Sequence, residues 1–284
     1  MECVDVVVKI GGSACTKKAE FETLNEVALG ESAAQLAALA AEGTSLAIVH
    51  GAGSFGHQYA RQYNISSGGE SGGARPLPAI TREGFAKTRL SVSKLNRFVT
   101  EALVEHGLPA VSLCPCPFVC TTGKKLSGGR LPESAVNGAR ALLSSGLVPL
   151  VHGDAVLDDA QGVAILSGDI WMVELARELG AKSAVFITDV DGVFTKPPTE
   201  PDAELVREIL FDLETKDLEL TGVSMNVAGH DVTGGLKAKL DCAGEVLLGA
   251  PSVEAVYIVR AGSESAAEAL RGEVPSQGTT LRRK

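Results

Sequence analysis

The chain has 284 residues, 45% of them hydrophobic but only 4% aromatic, with a net charge of −9 and 32 glycines. The aliphatic content excludes a disordered chain, and glycine without a strict period excludes a collagen. The acidic balance argues against nucleic acid as a partner, which is met with a basic face, and against a polybasic membrane anchor.

Residues 4–10 (VDVVVKI) are rich in β-branched side chains and predict a strand that runs into Gly11-Gly12. Residues 21–41 carry Leu29, Ala33, Leu36, Ala37 and Ala40 at helical spacing. Residues 45–49 predict a second short strand, followed by His50-Gly-Ala-Gly-Ser-Phe-Gly-His57. The Gly/Ser/Pro-rich stretch 64–78 reads as a mobile loop. Residues 80–106 predict one long helix, with Leu95, Phe98, Val99, Ala102 and Leu103 as its apolar stripe. Residues 109–114 and 118–121 read as strands around a turn. Cys114, Cys116 and Cys120 lack the CxxC spacing of a zinc site and serve there as small hydrophobes. A helix over 132–145, a strand over 147–151, a hairpin from 155–157 and 162–166, and a helix over 167–179 follow. Residues 184–188 predict a strand ending at Asp189-Val-Asp-Gly192. A helix over 231–248, opened by Thr233-Gly-Gly235, a strand over 256–259 and a helix over 263–270 complete the pattern.

Strands separated by helices imply right-handed crossovers and an α/β fold around a mostly parallel sheet. In such sheets ligands gather at the carboxyl ends of the strands, where the glycine clusters fall. No linker cuts the chain, so residues 1–284 are expected to form a single domain. No stretch approaches the ~20 apolar residues of a membrane span, and no secretory signal is visible. The six cysteines read as reduced thiols, and the protein as soluble and cytoplasmic.

Lys9-Ile-Gly-Gly-Ser13 places a lysine in the last turn of a strand before two glycines, whose N–H groups suit an anion. Gly51, Gly53 and Gly56 spell G-x-G-x-x-G, which invites a dinucleotide reading. That motif follows the second strand rather than the first, and an anion loop for a substrate is the alternative, with His57 donating to a phosphate. Val151-His-Gly-Asp154 offers Gly153 as a backbone donor at another strand end. Lys237 and Lys239 are two apart and point to different faces of a helix, so at most one reaches a ligand at its start; Lys237 reads as a solvated charge. No P-loop, protein-kinase set, G-x-S-x-G, HExxH or CxxC is present.

Lys9-x-Gly-Gly-Ser13, the glycine loop after the second strand, Thr188-Asp-Val-Asp-Gly-Val and Thr233-Gly-Gly-x-x-x-Lys239 together resemble the amino acid kinase superfamily. The loop His50-Gly-Ala-Gly-Ser-Phe-Gly-His57, residues 84–96 and Val151-His-Gly-Asp154 are similar to its isopentenyl phosphate kinase branch. The resemblance implies a three-layer αβα sandwich, with an acceptor half over roughly 1–165 and a nucleotide half over roughly 166–284. It implies a homodimer using ATP and Mg2+ to phosphorylate an isoprenyl monophosphate, isopentenyl monophosphate first, in isoprenoid biosynthesis. ATP would lie over Lys9, Gly11, Gly12, Ser13 and Gly53, with Asp189 near the base or ribose and Gly235 and Lys239 near the phosphates. Lys18 matches a family lysine and joins Lys9, His57 and Lys239 as catalytic candidates. The acceptor phosphate would rest on Ala52, Gly56, His57 and Gly153, with Phe85 and Leu90 near the tail. No protein residue is expected to bind metal. Fosfomycin kinases share the histidine loop, so a kinase for another small phosphate or phosphonate stays open, as does a non-catalytic nucleotide sensor.

Overall fold

The computed structural model describes residues 3–221 and 234–284. In chain order the first half contains β1 (Val6–Ile10), α1 (Gly12–Cys15), α2 (Glu26–Ala41), β2 (Leu46–His50), α3 (Gly53–Gln62), α4 (Ala79–Glu105), β3 (Ala110–Ser112), β4 (Thr121–Thr122) and β5 (Lys125–Leu126). It continues with α5 (Glu133–Ser144), β6 (Val148–His152), β7 (Asp154–Asp158), β8 (Gly162–Leu166), α6 (Gly168–Glu178) and β9 (Ser183–Thr188). The remainder is β10 (Val193–Phe194), β11 (Leu205–Val206), β12 (Glu208–Phe211), β13 (Leu218–Thr221), α7 (Gly234–Gly249), β14 (Ala255–Arg260), α8 (Glu264–Leu270) and β15 (Thr279–Arg283).

Nine strands form the main sheet in the order β13-β12-β15-β14-β9-β1-β2-β6-β3. From β14 to β3 every neighbour is parallel; β15 turns antiparallel to β14, and β13 antiparallel to β12. The chain leaves β1 toward β2 on one side and returns to β9 on the other. β1 is therefore a topological switch point, where the loops after neighbouring strands diverge and open a crevice.

Alternation along β1 builds both cores. Val6, Val8 and Ile10 face Leu29 and Leu36 of α2, Leu95 and Val99 of α4, and Leu270 of α8. Val7 faces the opposite layer with Trp171 and Leu175 of α6, Val246 of α7 and Val136 of α5. Helices on both faces of the sheet make the expected three-layer αβα sandwich. Lys9 shares the face of Val7, so the same period that buries β1 aims this lysine toward α6. A second sheet, β5-β4-β7-β8, covers the sandwich beside α4.

Several expectations are corrected. Residues 21–25 are not helical: Thr16 bridges to Leu24, Glu22 has φ 48°, and α2 starts at Glu26. Residues 118–121 form no strand except at Thr121. Pro115 and Pro117 remove ladder donors, so Cys114 lies in irregular chain and Cys116 and Phe118 in a turn, with Phe118 exposed. Stretch 64–78 is built rather than open: Ile65 is fully buried, and the Ser71 hydroxyl sits between the Gly68 and Gln161 carbonyls, within hydrogen-bond reach of both. Strands β10 to β13 and β15 have no counterpart in the sequence reading. Asp231 and Thr233, at the expected helix start, and the side chain of Lys237 lie outside the described residues.

Candidate active site

Glycine has a different cause at the centre of the crevice than ligand approach alone. A Cβ on Gly12 would stand 2.7 Å from the backbone of Gly53, and one on Gly51 2.8 Å from the Gly12 nitrogen. The loops after β1 and β2 thus pack backbone on backbone, closer than any side chain permits. Gly53 adopts φ +52°, and Thr16 closes the seam: its hydroxyl donates to the Gly12 carbonyl at 2.7 Å and accepts the Ser54 N–H at 2.9 Å. Gly56 serves another contact, since a Cβ there would meet Val92 of α4 at 2.5 Å.

Above this seam lies a cavity of about 760 Å³. Of the residues singled out from the sequence, Lys9, Gly11, Gly12, Ser13, Lys18, Ala52, Gly53, Gly56, His57, Gly153 and Lys239 line it. Asp189 stands at its edge, accepting a hydrogen bond from the Ser13 hydroxyl at 2.6 Å with Lys18 Nζ 3.9 Å away. Gly235 lies in the first turn of α7. Gly153 turns its N–H toward the His50 carbonyl at 3.4 Å. The side chain of Phe85 packs into the core beside Tyr63 and Leu77, and Leu90 is 61% exposed, so neither lines this cavity.

Charge in the cavity is mostly positive. Lys9 pairs with Asp169 of α6 and stands 5.6 Å from the centre of the Phe186 ring. Burial and the neighbouring Lys18 and Lys9 hold the Lys239 ammonium below its ordinary pKa, while Asp189 and Asp169 oppose them. Burial, Arg61 and Lys18 likewise lower the pKa of His57. Burial pushes the Asp189 carboxyl up, but the Ser13 hydroxyl and Lys18 outweigh it and leave it below its ordinary value. The N-terminal ends of α3 and α6 open on the same space and turn their positive poles toward it.

Both carboxylates lining the cavity are already matched: Asp169 by Lys9, and Asp154 by Arg89 at 3.1 Å. A divalent ion brought in with a polyphosphate would be held here by phosphate oxygens and water.

Sequence reasoning missed Asp169, Arg61 and the Arg89–Asp154 pair. Asp169 carried a readable signal. Ser167 caps α6 by accepting the Ile170 N–H at 3.3 Å, and an acid in that first turn, one strand end away from a buried lysine, is placed to neutralise it. Arg89 carried none, because its role depends on α4 crossing β7.

The chain matches the family model of the amino acid kinase family over residues 6–259. It is 33% identical to isopentenyl phosphate kinase of Arabidopsis thaliana, with 94% of this chain and 90% of that protein aligned. It is 36% identical to isopentenyl phosphate kinase of Methanothermobacter thermautotrophicus, covering 94% and 96% respectively. A crystal structure of isopentenyl phosphate kinase superposes with a TM-score of 0.72 at 31% identity, covering 97% of this chain and 99% of the other.

Proposed function

We propose that this chain, which belongs to the amino acid kinase family and within it to the isopentenyl phosphate kinases, transfers the γ-phosphoryl of MgATP to isopentenyl monophosphate, giving isopentenyl diphosphate and ADP. The observation that carries the reading is the cavity itself: His57 on α3 shares it with Lys9, Lys18 and Lys239, while both of its lining carboxylates are paired. Such a site suits a nucleophile that needs no base. A phosphate monoester has its second pKa near ~6 and is largely dianionic at neutral pH. Its oxygen attacks the γ-phosphorus directly, the bond to the β-bridging oxygen breaks, and ADP leaves with the electron pair.

Repulsion between two anions is the barrier to be lowered. The lysines, the glycine-loop amides and the ends of α3 and α6 oppose it by holding donor and acceptor in line and stabilising the equatorial oxygens. We assign ATP to Lys9, Gly11, Gly12, Ser13, Gly53 and Lys239, with Asp189 toward the nucleoside and Gly235 behind the phosphates. The acceptor phosphate is assigned to Ala52, Gly56 and His57, with Gly153 bounding the site because its N–H turns to the His50 carbonyl, and Lys18 to the transferring group. The loops after β1 and β2 then serve both substrates, while the residues after Leu166, Asp189, Gly235 and Lys239, serve the nucleotide. A magnesium ion bound with ATP would supply charge neutralisation on the phosphates.

Exposed Leu90, Phe98 and Val104 along α4 support a homodimer through that helix, which light scattering on the purified protein tests. All six cysteines are free, which fits the reducing cytoplasm expected from the sequence. Among the described residues no helix is long and apolar enough to cross a membrane.

His57→Ala tests the acceptor assignment. It should lower kcat/KM for isopentenyl monophosphate about a hundredfold, the loss of a charge-assisted contact in the transition state, and leave ATP affinity unchanged. Unaltered acceptor kinetics would sink the assignment.

A further inference from the structure

Behind the glycine seam lies a buried polar array that phosphoryl transfer does not use directly. His50 ends β2 and His152 ends β6; they are register partners, 0% and 1% exposed, with rings stacked 5.3 Å apart at 22°. His50 Nδ1 lies 3.0 Å from the carbonyl oxygen of Gly51. A carbonyl only accepts, so Nδ1 carries a proton. On the other side of the ring, His50 Nε2 lies 3.0 Å from Asn96 Nδ2 on α4, and Asn96 Oδ1 accepts the Ser112 hydroxyl of β3 at 2.6 Å. That assigns the amide orientation: Asn96 donates, and Nε2 is the bare nitrogen. Ser112, Asn96, His50 and Gly51 form one polarised chain running from hydroxyl to carbonyl.

The chain ends on a peptide plane that faces the cavity. In a trans peptide the carbonyl and the following N–H point opposite ways. Holding the Gly51 carbonyl inward therefore turns the Ala52 N–H outward, toward the space that Gly51, Ala52 and Gly53 line. Among the described residues the Ala52 and Gly53 N–H groups have no hydrogen-bond partner. Gly51 has no side chain to restrain this plane, and Gly53 is in the left-handed region. Among the described residues the His50 Nδ1–H is the one donor recorded to the Gly51 carbonyl.

We propose that His50 is a positioning residue: its Nδ1–H clamps the Gly51 carbonyl and so aims the Ala52 N–H at the acceptor phosphate. Asn96 fixes the tautomer, and the stacked His152 fixes the ring plane. This rests on the isopentenyl phosphate kinase reading for the identity of the acceptor; the clamp itself does not.

The test pairs kinetics with a measurement that needs no substrate. His50→Asn keeps an N–H near the Nδ1 position, whereas His50→Leu removes it. His50→Leu should raise the acceptor KM at least about tenfold, as one lost N–H contact to a phosphate would, with the ATP KM within about twofold; His50→Asn should recover most of the loss. An equal rise in both KM values without recovery by asparagine would reduce His50 to a packing residue and overturn the proposal. If His50→Leu does not fold, His50→Gln replaces it, its amide reaching the Nε2 position and leaving the carbonyl unclamped. Nitrogen-15 spectra of the wild-type imidazoles decide the clamp independently: protonated Nδ1 and bare Nε2 on His50 are expected, and a bare Nδ1 overturns it. Absence of any turnover of isopentenyl monophosphate by the wild type would instead defeat the functional reading, with the spectra still deciding the clamp.

Discussion

Lys9 enters the cavity from the end of β1 with its charge already matched by Asp169. The pairing holds the ammonium at a fixed place on a rigid strand, so little reorganisation remains when an anionic transition state forms. Lys9→Met should therefore lower kcat about a hundredfold or more while changing ATP affinity far less, read from steady-state kinetics and ATP titration. A matched loss of binding with normal kcat would assign Lys9 to ground-state binding. His57 differs, because burial, Arg61 and Lys18 keep it disposed to be neutral when the cavity is free of anions. A dianionic acceptor opposes those neighbours and draws the imidazole toward its charged form. Calorimetry at pH 6.5 in buffers of different ionisation heat should show more proton uptake on acceptor binding in the wild type than in His57→Ala. Equal uptake in the two would place His57 away from the phosphate.

The crevice is made where elements meet, and glycine is the device that lets them. Gly56 on α3 and Val92 on α4 leave no room for a methyl group between the helices. Gly56→Ala should cost about 1–3 kcal/mol, the usual penalty of overpacking, measured by urea denaturation. Adding Val92→Ala should return part of that loss, a non-additivity expected of side chains in contact. Strict additivity would mean that the helices separate instead of clashing. At this scale the sequence was legible where a strand is buried on both faces or a helix carries a continuous apolar stripe. β1, β2, β6, β9 and α4 were placed on such patterns. β10 to β13 and β15 escaped because they are short or polar. β15 reads as Thr-Thr-Leu-Arg-Arg, yet Arg283 turns inward and donates to the carbonyls of Leu247 and Ala250 at the end of α7. The glycines were legible as a ligand edge, but their contact with one another was not, since it joins loops some forty residues apart. The His50–Asn96–Ser112 chain was invisible for the same reason.

Over the whole molecule, the net charge of −9 coexists with a cationic cavity because the lysines converge at one edge of the sheet. Buried histidines give the fold a definite pH dependence. Burial and His152 lower the His50 pKa to about 3 against a normal value of 6.5, and burial lowers that of His152. The unfolded chain takes up these protons first, so stability falls as pH drops below about 6.5, by up to ~1.4 kcal/mol per pH unit for each histidine. Carboxylates held low, such as Asp158 at about 2, lose their contribution only below the usual carboxylate range. Over the interval from pH 6.5 to 5 the histidines weaken the fold while Asp154, whose carboxyl burial raises, acts in the opposite sense, so the comparison with a His50 variant separates them. Urea midpoints should fall across it in the wild type and fall less steeply in His50→Asn. A flat wild-type profile would mean that His50 and His152 take up protons in the native state.

The reaction itself is tested most directly by coupled ADP release from MgATP with isopentenyl monophosphate, fosfomycin and N-acetylglutamate offered in turn. The cavity and its relatives predict rapid ADP release with isopentenyl monophosphate and little with the other two. Release driven by fosfomycin or N-acetylglutamate, with isopentenyl monophosphate inert, would contradict it.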